Sequence, residues 1–219
     1  MIALTFDDGP NATATPRILD VLAERGVPAT FFVLGSRAGE HPELIARMLE
    51  AGHAVQPHCW ESHQSHLEQS RAELEEDAAR TLATLDGLGC PRPVLWRPPY
   101  GDVKDPDSYE AAAAHELQLV VWTLETCDWS DEHSVERILA DIDSEARDDA
   151  RLRADSVILM HDTPKTERLL RDLLDRIESR AHDVGLLARD NAAVVRGGPY
   201  RSGRPDRGRP SGTTISPNA

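Results

Sequence analysis

The chain of 219 residues carries 24 basic and 38 acidic side chains, for a formal net charge of −14. That length favours one α/β domain over two, and so acidic a body is a poor match for nucleic acid or an anionic membrane. The three cysteines, Cys59, Cys90 and Cys127, are odd in number and lack zinc-ligand spacing, which speaks against a disulfide framework.

In chain order, the first element is a strand over residues 2–6, IALTF. Met1 leads directly into it with no leader-like segment, the pattern expected of a cytoplasmic protein or of a secreted one trimmed of its leader. A helix follows over 16–26, with apolar residues at three-to-four spacing and a glycine at its end. Residues 29–34, ATFFVL, form the next strand, 42–52 a second helix and 53–56 a third strand. The stretch 71–89 reads as a long helix, 94–97 and 117–124 as strands, and 134–147 as a helix. Residues 156–160, SVILM, form a strand, 166–181 a helix, and 183–188 a weaker final strand. No apolar run is long enough to span a bilayer. From Arg196 onward the chain turns rich in Gly, Pro, Ser and Arg without apolar periodicity, as a disordered basic tail would.

Alternating strands and helices imply parallel strands joined by right-handed crossovers, hence a doubly wound sheet or a (β/α) barrel. In both architectures the site lies beyond the carboxyl ends of the strands. Those ends carry the unusual residues. The first strand runs into Asp7-Asp8-Gly9-Pro10, where one carboxylate can ligate a metal and its neighbour serve as a base. The third runs into His58 and the cluster HCWESHQSH, the fourth into Arg97-Pro98-Pro99-Tyr100-Gly101, the fifth into Cys127-Asp128-Trp129, and the sixth into His161-Asp162. The other histidines, His41, His53, His115, His133 and His182, fall away from these ends and read as surface or capping residues.

In that order, the clusters resemble the five motifs of the polysaccharide deacetylases, the NodB-homology enzymes of carbohydrate esterase family 4. The likeness runs over roughly residues 1–195, which leaves 196–219 as the tail. It implies an α/β fold, a distorted (β/α) barrel of about seven parallel strands in a single domain. It also implies a metal-dependent hydrolase that removes N-acetyl groups from an N-acetylated amino sugar or its polymer. Asp8, His58 and a second histidine would hold one divalent metal, zinc first, with cobalt, nickel, manganese or iron also suited to the donor set. Asp7 would be the general base, oriented by Arg97, and the backbone N–H of Tyr100 would help receive the oxyanion. His161 would protonate the departing amine, its imidazolium stabilised by Asp128. Tyr100, Trp129 and Leu159 would border the pocket for the acetyl group.

The second motif departs from the family, whose paired histidines stand four residues apart and so share one helix face. Here the next histidine after His58 is His63, five residues on, with Cys59 in place of a hydroxyl residue. His63 would serve through a one-residue bulge. His66, eight residues from His58, is the alternative ligand, and otherwise either a partner that supports a ligand or a substrate contact. The family resemblance leaves three substrate classes open: a carbohydrate polymer, a small N-acyl metabolite, and an acetyl-ester carbohydrate. A non-catalytic carbohydrate-binding relative is a further reading. The expected partner is the carbohydrate or small N-acetylated substrate, with no nucleic acid and no membrane.

Overall fold

The computed structural model describes residues 1–61, 64–144 and 151–190. Its first strand, β1 (Ile2–Asp7), pairs in parallel with β2 (Thr30–Leu34) on one side and β7 (Val157–His161) on the other. Beyond β2 lies β3 (Ala54–Cys59), and beyond β7 lies β6 (Leu124–Glu125), which gives the order β3-β2-β1-β7-β6. A short β8 (Val184–Gly185) pairs with the start of β1. The strands β4 (Leu95–Trp96) and β5 (Gln118–Leu119) form a separate parallel pair.

Together these make the expected distorted barrel. The distortion lies where β4 meets β3, because Pro57 has no N–H to give to a ladder. The Gln56 side chain takes over, its Oε1 accepting the N–H groups of Val94 and Leu95 at 3.0 and 2.9 Å. Arg97 N–H then reaches the Pro57 carbonyl at 3.4 Å. The single strand expected over 117–124 is divided. Val120 N–H still bonds Trp96 on β4, but Thr123 N–H bonds Val157 on β7, so the chain changes partners as it turns the barrel corner.

Five helices fall where the periodicity places them: α1 (Ala14–Arg25), α3 (Pro42–Glu50), α4 (Arg71–Gly87), α6 (Val135–Asp143) and α7 (Thr166–Ser179). Gly26 ends α1 in the left-handed conformation at φ 62°, and Ser70 with Glu73 forms a capping box that starts α4. Two helices were not legible. The six-residue α2 (Gly35–Glu40) is too short to show a period, and α5 (Asp107–Ala114) is a run of alanines with little apolar contrast. The tail expected over 196–219 lies outside the described residues.

Strand side chains alternate between two cores. Ile2, Leu4 and Phe6 of β1, and Ile158 and Met160 of β7, pack outward against Ile18, Leu22, Leu170 and Leu173 of the helices. Ala3 of β1, Phe32 of β2 and Val157 and Leu159 of β7 face inward with Leu95, Trp96 and Val121. Along the inward face the residues become polar toward the carboxyl ends: Thr5 then Asp7, Leu159 then His161, Gln56 then His58. His53, expected at the surface, is buried. Its Nδ1 accepts the Ala29 N–H at 3.1 Å and its ring stands edge-on to Phe31.

Candidate active site

The inward polar ends converge. Asp7 and His161 are Cα partners on adjacent parallel strands, so the register of β1 and β7 brings them side by side. Arg97 enters from the end of β4 and is fully buried. Its Nη1 donates to Asp7 Oδ1 at 2.8 Å and to Thr5 Oγ1 at 2.7 Å, and Nη2 donates to the Val121 carbonyl at 3.3 Å. The guanidinium lies 4.1 Å from the centroid of Phe32, which fixes its plane. A buried ion pair with this many partners holds the Asp7 carboxylate in one orientation.

Asp128, on the loop that leaves β6, is buried beneath His161. Its Oδ1 accepts His161 Nδ1–H at 2.8 Å, while Oδ2 accepts the His161 backbone N–H at 2.8 Å and the Thr166 hydroxyl at 2.7 Å. With Nδ1 protonated toward Asp128, Nε2 is the nitrogen left to face a substrate. Burial opposes the imidazolium, but the Asp128 hydrogen bond and charge, joined by Asp7 and Asp8, outweigh it and push the pKa up to about 9.

Asp8 and His58 meet from the ends of β1 and β3, with His58 Nε2 3.3 Å from Asp8 Oδ1. His58 Nδ1–H donates to the Arg97 carbonyl at 2.7 Å, which leaves the Nε2 lone pair directed at Asp8. That backbone clamp on the distal nitrogen is the usual arrangement of a metal-ligating histidine. Burial works against a charged His58 ring, but Asp7 and Asp8 prevail and raise its pKa. Negative charge is thus concentrated about Nε2, as a divalent cation requires, and the residues fit a metal. Cys59 is no rival donor: burial, with Asp77 and Asp8, pushes its thiol up out of the range in which a thiolate forms.

His63 lies outside the described residues. His66 is described and does not join Asp8 and His58: among the described residues no three His, Cys, Asp or Glu side chains converge on one point. Its Nδ1 is hydrogen-bonded to Ser108 Oγ at 3.1 Å and its ring packs on Trp96 with centroids 4.8 Å apart. Burial, with the nearby His58, depresses its pKa to about 3. A ring 1% exposed offers no face to a substrate, so the reading of His66 as a substrate contact is corrected. Tyr100 stands at φ 62° in the tight turn Pro99–Gly101, and its side chain and that of Trp129 are exposed. Trp129 Nε1–H reaches Glu125 Oε1 at 3.4 Å. Leu159 packs within the barrel interior, two residues below His161.

Two residues at this site, Thr166 and Arg37, had no signal in the sequence, while Thr5 opens the first strand-end motif. Thr166 bonds Asp128, Thr5 bonds Arg97, and Arg37 of α2 donates to the Asp8 carbonyl at 2.6 Å.

Residues 1–120, more than half of the chain, match the family model for polysaccharide deacetylase. The chain belongs to the polysaccharide deacetylase family. It is 36% identical over 187 residues to the peptidoglycan-N-acetylglucosamine deacetylase PgdA of Listeria monocytogenes, a match covering 83% of this chain. That match takes in only 37% of the Listeria protein, so the chain spans well under half the length of this relative. Among solved structures, the family 4 carbohydrate esterase of Streptomyces lividans in complex with acetate superposes with a TM-score of 0.77 at 28% identity. It covers 90% of this chain and 97% of its own. A family 4 acetyl xylan esterase of Clostridium thermocellum, in complex with a cobalt ion, gives 0.74 at 28% identity, covering 84% and 87%. These neighbours share the distorted barrel found here.

Proposed function

We propose that this domain is a divalent-metal-dependent deacetylase that hydrolyses the N-acetyl group of N-acetylglucosamine residues in an oligomer or polymer. The observation that carries the reading is the convergence of two oppositely built ion pairs, Arg97–Asp7 and Asp128–His161, beside the Asp8–His58 pair. Amide hydrolysis needs a base for the attacking water and an acid for the departing amine, and these pairs supply one of each.

Asp8, His58 and His63 would hold the metal, and His63 takes the third place because His66 is committed to Ser108 and Trp96. A divalent cation there supplies Lewis-acid polarisation of the acetyl carbonyl and of the attacking water. Asp7, held by Arg97, accepts the proton of that water. His161 carries its proton on Nε2 toward the leaving nitrogen, and Asp128 keeps the ring charged until transfer. The Tyr100 backbone N–H, in a tight turn of positive φ, would donate to the developing oxyanion. Tyr100 and Trp129, exposed at the rim, offer stacking surfaces for sugar rings. The Listeria relative's substrate favours an N-acetylglucosamine amide, while the likeness to a xylan esterase makes acetyl esters the competing class.

Acetate release measured on N-acetylglucosamine oligomers, monomeric N-acetyl sugars and acetyl-xylan, with and without a chelator, tests this reading. Chelator-sensitive release that rises with oligomer length is expected. Release confined to monomers or to acetyl-xylan would reassign the substrate, and no metal-dependent release from any of them would remove the enzyme reading.

A further inference from the structure

The two described residues proposed as metal donors come from different strand ends, and one short segment ties both together. It is the turn from Leu34 into α2. Leu34 N–H donates to the Gly9 carbonyl at 2.9 Å, next to Asp8, and Arg37 Nη1 donates to the Asp8 carbonyl itself at 2.6 Å. From the same turn, Ser36 N–H donates to the Trp60 carbonyl at 2.9 Å, two residues past His58. Gly35 lies so close beneath the Trp60 ring that an added Cβ would stand 2.6 Å from Cε3. Trp60 is also held from α4: both Asp77 carboxylate oxygens accept its backbone N–H at 3.0 Å, and the Arg80 guanidinium stacks 3.9 Å from the ring.

Asp8 needs such support. It is not glycine, yet its φ is +72°, a left-handed conformation that ordinary residues avoid because Cβ crowds the carbonyl oxygen. That backbone twist is what accompanies a carboxylate turned toward His58 while the preceding Asp7 faces Arg97. A hydrogen bond to the Asp8 carbonyl orients the very peptide whose rotation would carry the carboxylate away. We propose that Arg37 is a positioning residue for the metal site, holding the Asp8 peptide in its left-handed conformation while its turn locks Asp8 to the His58 strand end. The inference rests on the reading of Asp8 and His58 as metal donors.

The sign of the effect separates positioning from plain electrostatics. Arg37 is a cation near a cation site, so through charge alone its removal would tighten metal binding. Through positioning, its removal loosens binding, by the roughly 10- to 100-fold typical of groups that orient a metal's ligands. The test is a titration of the metal-free protein with cobalt, read by its visible absorption, on four proteins: wild type, Asp8→Ala, Arg37→Met and Arg37→Lys. Circular dichroism checks that each is folded. Wild type is expected to bind one cobalt and Asp8→Ala none. Arg37→Met should bind about 10- to 100-fold more weakly with an altered spectrum, and Arg37→Lys should recover part of the loss, since one donor makes the bond. Gly35→Ala, which pushes the turn off Trp60 while sparing Arg37, should weaken binding in the same direction.

Wild-type or tighter affinity in Arg37→Met, with Asp8→Ala unable to bind, would overturn the role of Arg37 and leave the site standing. Should Arg37→Met not fold, wild-type affinity in both Arg37→Lys and Gly35→Ala would overturn it equally. Cobalt binding that survives Asp8→Ala would instead remove the site, and the role of Arg37 with it.

Discussion

Replacing Asp128 with asparagine isolates the charge that would keep His161 protonated in the proposed role of acid. The shape of the side chain is kept, but its hydrogen-bonding is not. Oδ2 accepts two donors, the His161 N–H and the Thr166 hydroxyl, so the asparagine oxygen takes that place and turns its NH₂ toward His161 Nδ1. Two N–H groups cannot face each other, so the ring gives up the Nδ1 proton and becomes neutral. The rise in the His161 pKa from 6.5 to about 9 corresponds to roughly 3 kcal/mol in favour of the imidazolium. Burial opposes it and Asp128 provides the leading favourable contributions, so without that charge the pKa falls from about 9. The assay is kcat/KM for acetate release from an N-acetylglucosamine oligomer across pH, which reports the free enzyme. Wild type should show a falling limb above 6.5 and no higher than about 9, because a bound cation offsets part of what Asp7 and Asp8 contribute. In Asp128→Asn that limb should move to lower pH, and kcat at neutral pH should drop about 10²- to 10⁴-fold, the usual worth of a general acid. A variant that kept both its limb and its rate would refute the assignment of Asp128 and His161 as the acid pair.

Asp7→Asn should lose about 10²- to 10⁴-fold in kcat while binding cobalt as wild type does; normal turnover would mean another group is the base. His63→Ala and His66→Ala should part company in metal content measured after dialysis. His63→Ala should come out empty, whereas His66→Ala should stay loaded but lose about 2–4 kcal/mol of stability to the cavity left against Trp96. An emptied His66→Ala would transfer the ligand role to it. Asp162 has its pKa pushed up to about 7 by burial, which the Thr15 hydroxyl resists, and by the charges of Asp8 and Asp128. Its folded value exceeds the unfolded 3.8, so the stability it contributes is complete below pH 3.8 and is lost as pH rises through about 7. In urea unfolding of the metal-free protein, Asp162→Asn should therefore gain on wild type by up to roughly 4 kcal/mol between pH 4 and pH 8. A difference that does not change with pH would contradict this.

What was legible in the sequence follows from periodicity and from position along a strand. The continuous apolar runs of β1, β2 and β7 declare buried parallel strands, and the ionisable residues just past them declare the site. The corner in 117–124 was not legible, because Val120 to Thr123 are as apolar as the strands on either side and only the change of partner divides them. Nor was α2, whose six residues begin with glycine. Arg37 and Thr166 act through single hydrogen bonds to residues 29 and 38 positions away, which leave no local pattern to read. The spacing anomaly after His58 was visible as a departure from the family. The argument against His66 as the ligand rests on the buried Ser108 and Trp96 contacts, both of them long-range.

The parallel register explains why this site needs two separate counter-ions. Asp7 and His161 sit opposite each other on adjacent strands, about 4.8 Å apart at the backbone by ordinary sheet spacing. Left alone, a carboxylate and an imidazole so close would pair with each other. The barrel prevents this by reaching each from a different side. Arg97 crosses the interior from β4 and gives Asp7 a guanidinium that does not lose its charge. Asp128 rises from the β6 loop and takes His161 at Nδ1, turning the ring so that Nε2, not Nδ1, faces outward. Each group is thus engaged by a partner it does not share, and the proposed division of labour between base and acid follows from a cation supplied across the interior by β4 and an anion supplied by the loop after β6. On this argument, exchanging the charges at 97 and 128 could not simply exchange the roles of Asp7 and His161, because the Thr5, Val121 and Thr166 contacts that orient each partner are built for a guanidinium on one side and a carboxylate on the other.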